Sequence, residues 1–442
     1  MQCVLDILEL AQGGEGVGRV EARAVFVPYT APGDQVAAEV PGGTGPAHAS
    51  LVEVLRPGKE RVEAPCRHFG PGARAGCGGC EWLHVAYEAQ LAAKQHAFTE
   101  TLRRIGGLGP GTYRDRGILP SPSPLRYRAR AKFHHDRATG RLVFFRRRSH
   151  EPVELRECHL LEAELDRLRE AMGPALASVR LSPREVTLEW SRRAGRGAAF
   201  LQLASTGPSV RQRAEALLEA LPALQGLVLG AEGSPLERIG DPVLRHARRP
   251  DDPASELQRS RPDVFQQANR RGNALLVETV LALLRPDGED VLELFCGAGN
   301  FTGPLAARAR SVHAVEAQGP ALELARLDLE EWAAGGDSRR SSVRFFAGDA
   351  LALARAFARE KGSSKRFGAA LLDPPREGAR GIGPALRELE VPRAVYVSCD
   401  PATLARDLKA CGDAGYRVEV VQAVDMFPQT HHVEGIALLE IG

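Results

Sequence analysis

From about residue 263 onward, short apolar runs alternate with amphipathic stretches. The runs are DVLELF, SVHAVEA, VRFFAGDA, GAALLDPP, RAVYVSC, YRVEVVQAVDMF and GIALLEI, and helical stretches separate the earlier ones. Seven runs of this kind predict a doubly wound α/β sheet. The upstream pattern differs. In residues 1–60, AVFVPYTAPGDQVAAEV reads as a strand, a turn at Pro32-Gly33-Asp34 and a second strand. Short strands punctuated by glycine predict a small β-barrel. Residues 64–82 are loop-like and carry three cysteines. Residues 86–105 place Leu91, Ala92, Gln95, Phe98 and Leu102 at helical spacing. Residues 125–148, LRYRARAKFHHDRATGRLVFFRRR, alternate along two strands joined by DRATG. Residues 160–250 mix helical and strand-like patches, and the polar stretch 246–262 marks a boundary or loop. The expected division is a barrel over 1–60, a central α+β domain over 61–262 and the α/β domain over 263–442.

Length and composition narrow the class. A chain of 442 residues needs two or three domains, and 43% hydrophobic with 26% charged residues excludes a mostly disordered chain. No apolar run is long enough to span a bilayer, and MQCVLDILELAQGG lacks the charge pattern of a secretory leader. The expectation is a cytoplasmic protein without membrane contact. The net charge is only +2, but the basic residues comprise six lysines and fifty-two arginines. The 125–148 hairpin holds nine of them against a single acid, Asp136. Interleaving with Tyr127, Phe133, Phe144 and Phe145 favours a nucleic-acid surface over a merely solvated face.

Eight cysteines in such a chain do not suggest a disulfide framework. Cys66, Cys77 and Cys80 cluster, and that spacing points to a metal site.

The α/β domain carries the chemistry. Its first strand runs into ELFCGAGNF, with Gly297 and Gly299 at the strand-to-helix turn, where the backbone must bend tightly beside a ligand. The next strand ends in Glu316, suited to a ribose diol. Asp349 follows the third strand and could contact an adenine. A single glycine pair favours an adenosyl ligand such as S-adenosylmethionine over NAD. Asp373-Pro374-Pro375-Arg376 ends the fourth strand, where open α/β sheets place active sites. Cys399 ends the fifth, and Glu434 stands just before the last. Each alone has a bland reading, a small buried hydrophobe and a solvated acid. Together at one sheet edge they form a nucleophile and a base.

These residues resemble the RNA 5-methyluridine methyltransferase family, bacterial and archaeal enzymes that methylate uridine C5 in ribosomal or transfer RNA. The resemblance covers nearly the whole chain. Its motifs are F-x-Q-x-N at Phe265, Gln267 and Asn269, then LELFCGAGNF, VEA, DPPR, YVSCDPATLARD and DMFPQTHHVE. GGEGVGRV…AVFVPYTAPGD resembles a TRAM domain, a small RNA-binding barrel. The resemblance implies a class I methyltransferase sheet in which Gln267, Phe295, Gly297, Asn300, Glu316, Asp349 and Asp373 line the S-adenosylmethionine pocket. It implies Cys399 as nucleophile and Glu434 as base. It implies a [4Fe–4S] cluster on Cys66, Cys77, Cys80 and Cys158, with structural zinc as the alternative for four thiolates. The implied substrate is 23S ribosomal RNA, with the T-loop uridine of transfer RNA as alternative and no obligate protein partner. Three positions depart from the family pattern: Asp400 replaces Asn, ten residues separate Cys66 from Cys77, and His431 stands where glycine is common. Two other classes stay open, a methyltransferase acting on an exocyclic amine and a non-catalytic RNA-binding protein.

Overall fold

Val25 and Val27 of Arg23–Val27 and Val36 and Ala38 of Gln35–Glu39 turn into one small core with Leu5, Ile7 and Val40. In the computed structural model, which describes residues 1–72, 76–252, 255–334, 342–360 and 367–442, this core lies between a three-stranded and a four-stranded sheet. The expected turn at Pro32–Asp34 is present. Gly33 takes φ +83°, and the Asp34 carboxylate accepts from Ala31 N at 2.6 Å and Gly58 N at 2.9 Å. The turn carries the chain from one sheet to the other, so the two strands it joins do not pair with each other. Of the inserted loop between Cys66 and Cys77, residues 73–75 lie outside the described residues.

The middle of the chain forms a seven-stranded sheet in the spatial order Pro152–Val153, Arg141–Phe145, Arg130–Asp136, Glu185–Ser191, Arg196–Gln202, Leu224–Gly230 and Glu237–Gly240. The helices Ala163–Ser178 and Pro208–Ala220 contribute Leu168, Met172, Leu176 and Leu217 to its core. The expected basic hairpin is Arg130–Asp136 with Arg141–Phe145. Its charge is largely engaged inside the protein. Arg130 donates to Val264 O and Pro262 O and pairs with buried Glu189, Lys132 pairs with Glu185, and Arg146 with Glu151. Arg147 and Arg148 reach Glu15 of the barrel at 3.5 and 3.3 Å. The hairpin therefore ties the barrel to the central sheet, a role that net charge could not reveal.

All seven expected strands of the α/β domain are present. The order is Val343–Ala347, Ser311–Glu316, Asp290–Leu294, Ala369–Leu372, Arg393–Ser398, Glu434–Ile441 and Tyr416–Val424. The first five are parallel, and Glu434–Ile441 is antiparallel to both its neighbours. Burial on both faces explains the continuous apolar runs. Two features differ from the sequence reading. Arg114–Leu119, from the middle of the chain, adds an eighth strand beside Tyr416–Val424. The expected helix before it, Tyr87–Gly106, packs Phe98 and Leu102 into the same core as Leu404 and Ala405. The stretch 246–262 is also more than a linker. Leu244–Ala247 and Leu257–Ser260 pair as a hairpin, and Arg259 binds Asp328 of the helix Gly319–Ala334 at 2.9 Å.

Candidate functional site

The strand Asp290–Leu294 is followed by Phe295 at φ +63°, Gly297 at φ +55° and Gly299 at φ +80°. A Cβ on Gly299 would meet Ala325 at 3.4 Å, so the turn is tight as well as left-handed. Glu316, at the end of the neighbouring strand, accepts from Gly297 N at 2.9 Å and Gln318 N at 2.8 Å. Arg248 holds the other side of the turn, donating to Gly299 O at 3.1 Å and Asn300 O at 3.0 Å while stacking over Trp332. The sequence reading missed Arg248, because its partners are backbone carbonyls that leave no motif.

This turn is one end of a cavity of about 560 Å³. Gln267, Phe295, Gly297, Asn300, Glu316 and Asp373 all line it, as expected. Asp349 does not. It is exposed, and its carboxylate caps the helix Ala350–Arg359 by accepting from Ala352 N at 2.8 Å. An acid at a strand end before a helix has this local use, which competes with a ligand role.

Cys399 and Glu434 line the other end of the same cavity. The sheet explains their meeting. Ser398 and Gly435 are register partners in an antiparallel ladder, so the next residues outward are the cysteine and the glutamate. Glu434 is 2% exposed, and its Oε2 has no hydrogen-bond partner among the described residues. Burial, reinforced by Asp373, pushes its carboxyl up to about 8. Burial also lifts Asp373 to about 7. The Cys399 thiol is pushed up to about 11 by burial and by the charge of Glu434, against the pull of Arg376. Asp400, the departure beside the nucleophile, turns away. Its carboxylate caps the helix Pro401–Asp413 by accepting from Ala402 N and Thr403 N, both at 2.9 Å. His431 also points elsewhere, towards Glu81 at 3.6 Å. Arg376 of the expected DPPR loop lines the cavity, as do Phe427 and His432, which had not been singled out, and Phe265 stands at it 73% exposed. Burial lowers His432 to about 4, which keeps it neutral.

The loop that leads to Glu434 is held from the N-terminal half. Buried Lys94 meets Asp425 at 2.5 Å and Phe427 O at 3.0 Å, and the Tyr87 hydroxyl donates to Asp425 at 2.8 Å. Glu81 N and Trp82 N both donate to Gln429 O, at 2.9 and 3.1 Å.

Cys66, Cys77, Cys80 and Cys158 all line one small cavity. The expected metal set is therefore brought together, but it is not assembled for binding. Among the described residues no group of three or more Cys, His, Asp or Glu could hold a metal ion as it stands. Burial keeps the Cys66, Cys77 and Cys80 thiols protonated, and a metal must displace their protons to be bound. Burial, with the charges of Cys158 and Cys66 adding to it, pushes Cys77 up to about 12. Arg128 also lines the cavity and, among the described residues, has no carboxylate partner. Its contacts are the Tyr127 hydroxyl at 3.4 Å and the Tyr127 ring at 5.7 Å. A cluster of net negative charge on four thiolates suits that guanidinium.

Among the described residues no helix is long and apolar enough to cross a membrane.

Comparisons with known proteins follow this geometry. Residues 5–41 match the TRAM domain model, and residues 255–441 match the model described as tRNA (Uracil-5-)-methyltransferase. A 23S rRNA (uracil(1939)-C(5))-methyltransferase RlmD of Pseudomonas putida is 33% identical, over 99% of this chain and 93% of its own. Its counterpart in Pseudomonas entomophila is 35% identical, over the same 99% and 93%. The crystal structure of Pyrococcus abyssi tRNA (uracil-54, C5)-methyltransferase, in complex with S-adenosyl-L-homocysteine, superposes with a TM-score of 0.73. That structure is 23% identical, covers 99% of this chain and 100% of its own, and speaks for the fold alone. Identity of this level over the full length means that the chain belongs to the RNA (uracil-C5-)-methyltransferase family, S-adenosylmethionine-dependent enzymes with a class I sheet and a TRAM barrel.

Proposed function

We propose that this enzyme methylates C5 of a uridine in 23S ribosomal RNA, in the cytoplasm, with Cys399 as nucleophile and Glu434 as base. The observation that carries the roles is the ladder pairing of Ser398 with Gly435, which sets the thiol and the carboxylate side by side in the cavity that holds the glycine turn. Uracil C5 is a poor nucleophile. The Cys399 thiolate adds to C6, and the displaced electron pair makes C5 electron-rich. S-adenosylmethionine, when bound, supplies the electrophilic methyl group that C5 takes up. Glu434 then removes the C5 proton, the C5–C6 double bond re-forms and the thiolate is expelled. Gln267, Phe295, Gly297, Asn300, Glu316 and Asp373 bind and orient the cofactor. The uridine must leave its stack to enter, so base flipping is part of the cycle. The ribosomal substrate is favoured by the names of the relatives at 33 and 35% identity. Transfer RNA is the alternative.

We further infer that Cys66, Cys77, Cys80 and Cys158 hold a [4Fe–4S] cluster, with Arg128 as neighbouring countercharge. The role is structural because methyl transfer needs no electrons. The barrel over 1–60 and the central sheet within 61–262 serve as the RNA handle, while Tyr87–Gly106 and Arg114–Leu119 join the catalytic part over 263–442.

Tritium release from RNA carrying 5-tritiated uridine tests the chemistry, since only substitution at C5 liberates the label. Methylation of an exocyclic amine or mere RNA binding would leave it in place. Mass spectrometry of 5-methyluridine in separated ribosomal and transfer RNA, with and without the gene, identifies the substrate. Protein purified without oxygen should be brown with about four irons per chain, and stoichiometric zinc without iron would overturn the cluster.

A further inference from the structure

A second cavity, of about 260 Å³, opens between the central sheet and the first turn of the helix Arg270–Leu284. Its lining carries five arginines, among them Arg192, Arg193 and Arg271, against a single carboxylate, Glu162. Trp190 adds an aromatic face. Two buried polar atoms of this lining have no hydrogen-bond partner among the described residues: Arg270 Nε, a donor, and Glu162 Oε2, an acceptor. Both side chains are otherwise fixed. Arg270 Nη2 donates to buried Glu189 at 2.6 Å, and Glu162 Oε1 meets Arg192 Nε at 3.1 Å. Glu162 is 6% exposed. A buried donor and acceptor left open in a folded protein carry a desolvation penalty that a polar ligand relieves.

The cavity shares a wall with the catalytic one. Gln266 and Gln267 line the catalytic cavity, and Asn269 and Arg270 line this one. Asn269 donates to Met426 O and the Tyr127 hydroxyl to Pro428 O, both at 3.0 Å, while Phe427 between them faces the catalytic side.

We propose that this second cavity binds a neighbouring nucleotide of the same RNA and selects a base with an exocyclic amino group. The amino group donates to Glu162 Oε2, a ring acceptor takes the Arg270 Nε proton, Trp190 stacks, and the surrounding arginines meet the phosphates. Uracil, which has no amino group, is disfavoured there. The inference rests on the assignment of RNA as substrate, but not on the catalytic roles of Cys399 and Glu434.

The test measures RNA affinity and turnover separately. The probe is a stem–loop, from 23S or transfer RNA, whichever binds more tightly, with each position flanking the target uridine replaced in turn by an abasic residue or by uridine. In the wild-type protein one flanking position should lose roughly tenfold in affinity on either replacement. Glu162→Gln is the sharper variant. Its amide oxygen must face Arg192 Nε, so its NH2 faces the cavity and offers a donor where an acceptor was. At that one position the variant should now prefer uridine, while binding of S-adenosylhomocysteine stays unchanged. Arg270→Lys, which keeps the charge beside Glu189 but removes Nε, should lose the same discrimination without reversing it. Unaltered base preference in both variants, or equal losses at every position, would overturn the proposal. Tritium release by the wild type judges the chemistry independently, so a failure of that chemistry and a failure of this pocket give different results.

Discussion

The cofactor end of the catalytic cavity and the cysteine cavity are both made by loops, yet only the first is complete without its ligand. Gly297, Gly299 and Glu316 are fixed by adjacent parallel strands, and their hydrogen bonds are already formed. Cys399 and Glu434 are fixed by a ladder in the same way. The four cysteines come from a loop and from the segment before the helix Ala163–Ser178; they line one cavity, but among the described residues they form no group that could hold a metal ion as it stands. Strand topology preorganises a site, whereas a thiol set relies on its occupant.

Substitutions can sharpen or break that contrast. Cys399→Ala should cost at least about 10⁴-fold in turnover with S-adenosylmethionine affinity unchanged, since the thiol attacks the RNA. Calorimetry beside a methylation assay separates the two effects. Glu434→Gln should cost about 10²- to 10⁴-fold and leave the uracil bonded to Cys399, an adduct that survives denaturing electrophoresis. The double variant should form none. Because the Glu434 carboxyl sits at about 8 and the Cys399 thiol at about 11, and both must ionise to act, the wild-type rate should rise steeply with pH from 6 to 8 and go on rising above it. A rate flat from pH 6 to 8 would remove Glu434 as the base.

Lys94→Met strands the buried Asp425 carboxylate and should destabilise the fold by about 3–5 kcal/mol, read in denaturant unfolding. Cys77→Ala should act on the other site. Iron content and thermal midpoint should fall while binding of S-adenosylhomocysteine persists. Loss of cofactor binding there would mean the two sites are not separable. The smallest effect is expected from Arg148→Ala. This arginine is 61% exposed against Glu15, so its removal should cost under about 1 kcal/mol.

Much of this was legible in the sequence where short-range pattern dictates structure. Continuous apolar runs identified seven of the eight strands of the catalytic sheet, and the glycine turn with Glu316 followed from strand ends. Pattern failed where a partner lies far along the chain. Nothing in RDRGIL marks it as a strand of the catalytic sheet, because its partner Tyr416–Val424 is some three hundred residues away. At Asp349 capping and ligand binding ask for the same residue at the same place, so the sequence alone does not separate the two uses. The basic hairpin misled in part because formal charge does not reveal Glu15, Glu185 or Glu189 opposite it.

The eighth strand has a consequence for any attempt to divide the protein. Arg114–Leu119 shields the rim of the catalytic sheet, and Tyr87–Gly106 covers Leu404 and Leu408 beside it. A fragment starting at residue 263 would bare the backbone of Tyr416–Val424 as an open edge next to an uncovered apolar helix, the combination that promotes self-association. The catalytic part cut at its sequence boundary should therefore self-associate, and a useful fragment has to begin before Tyr87.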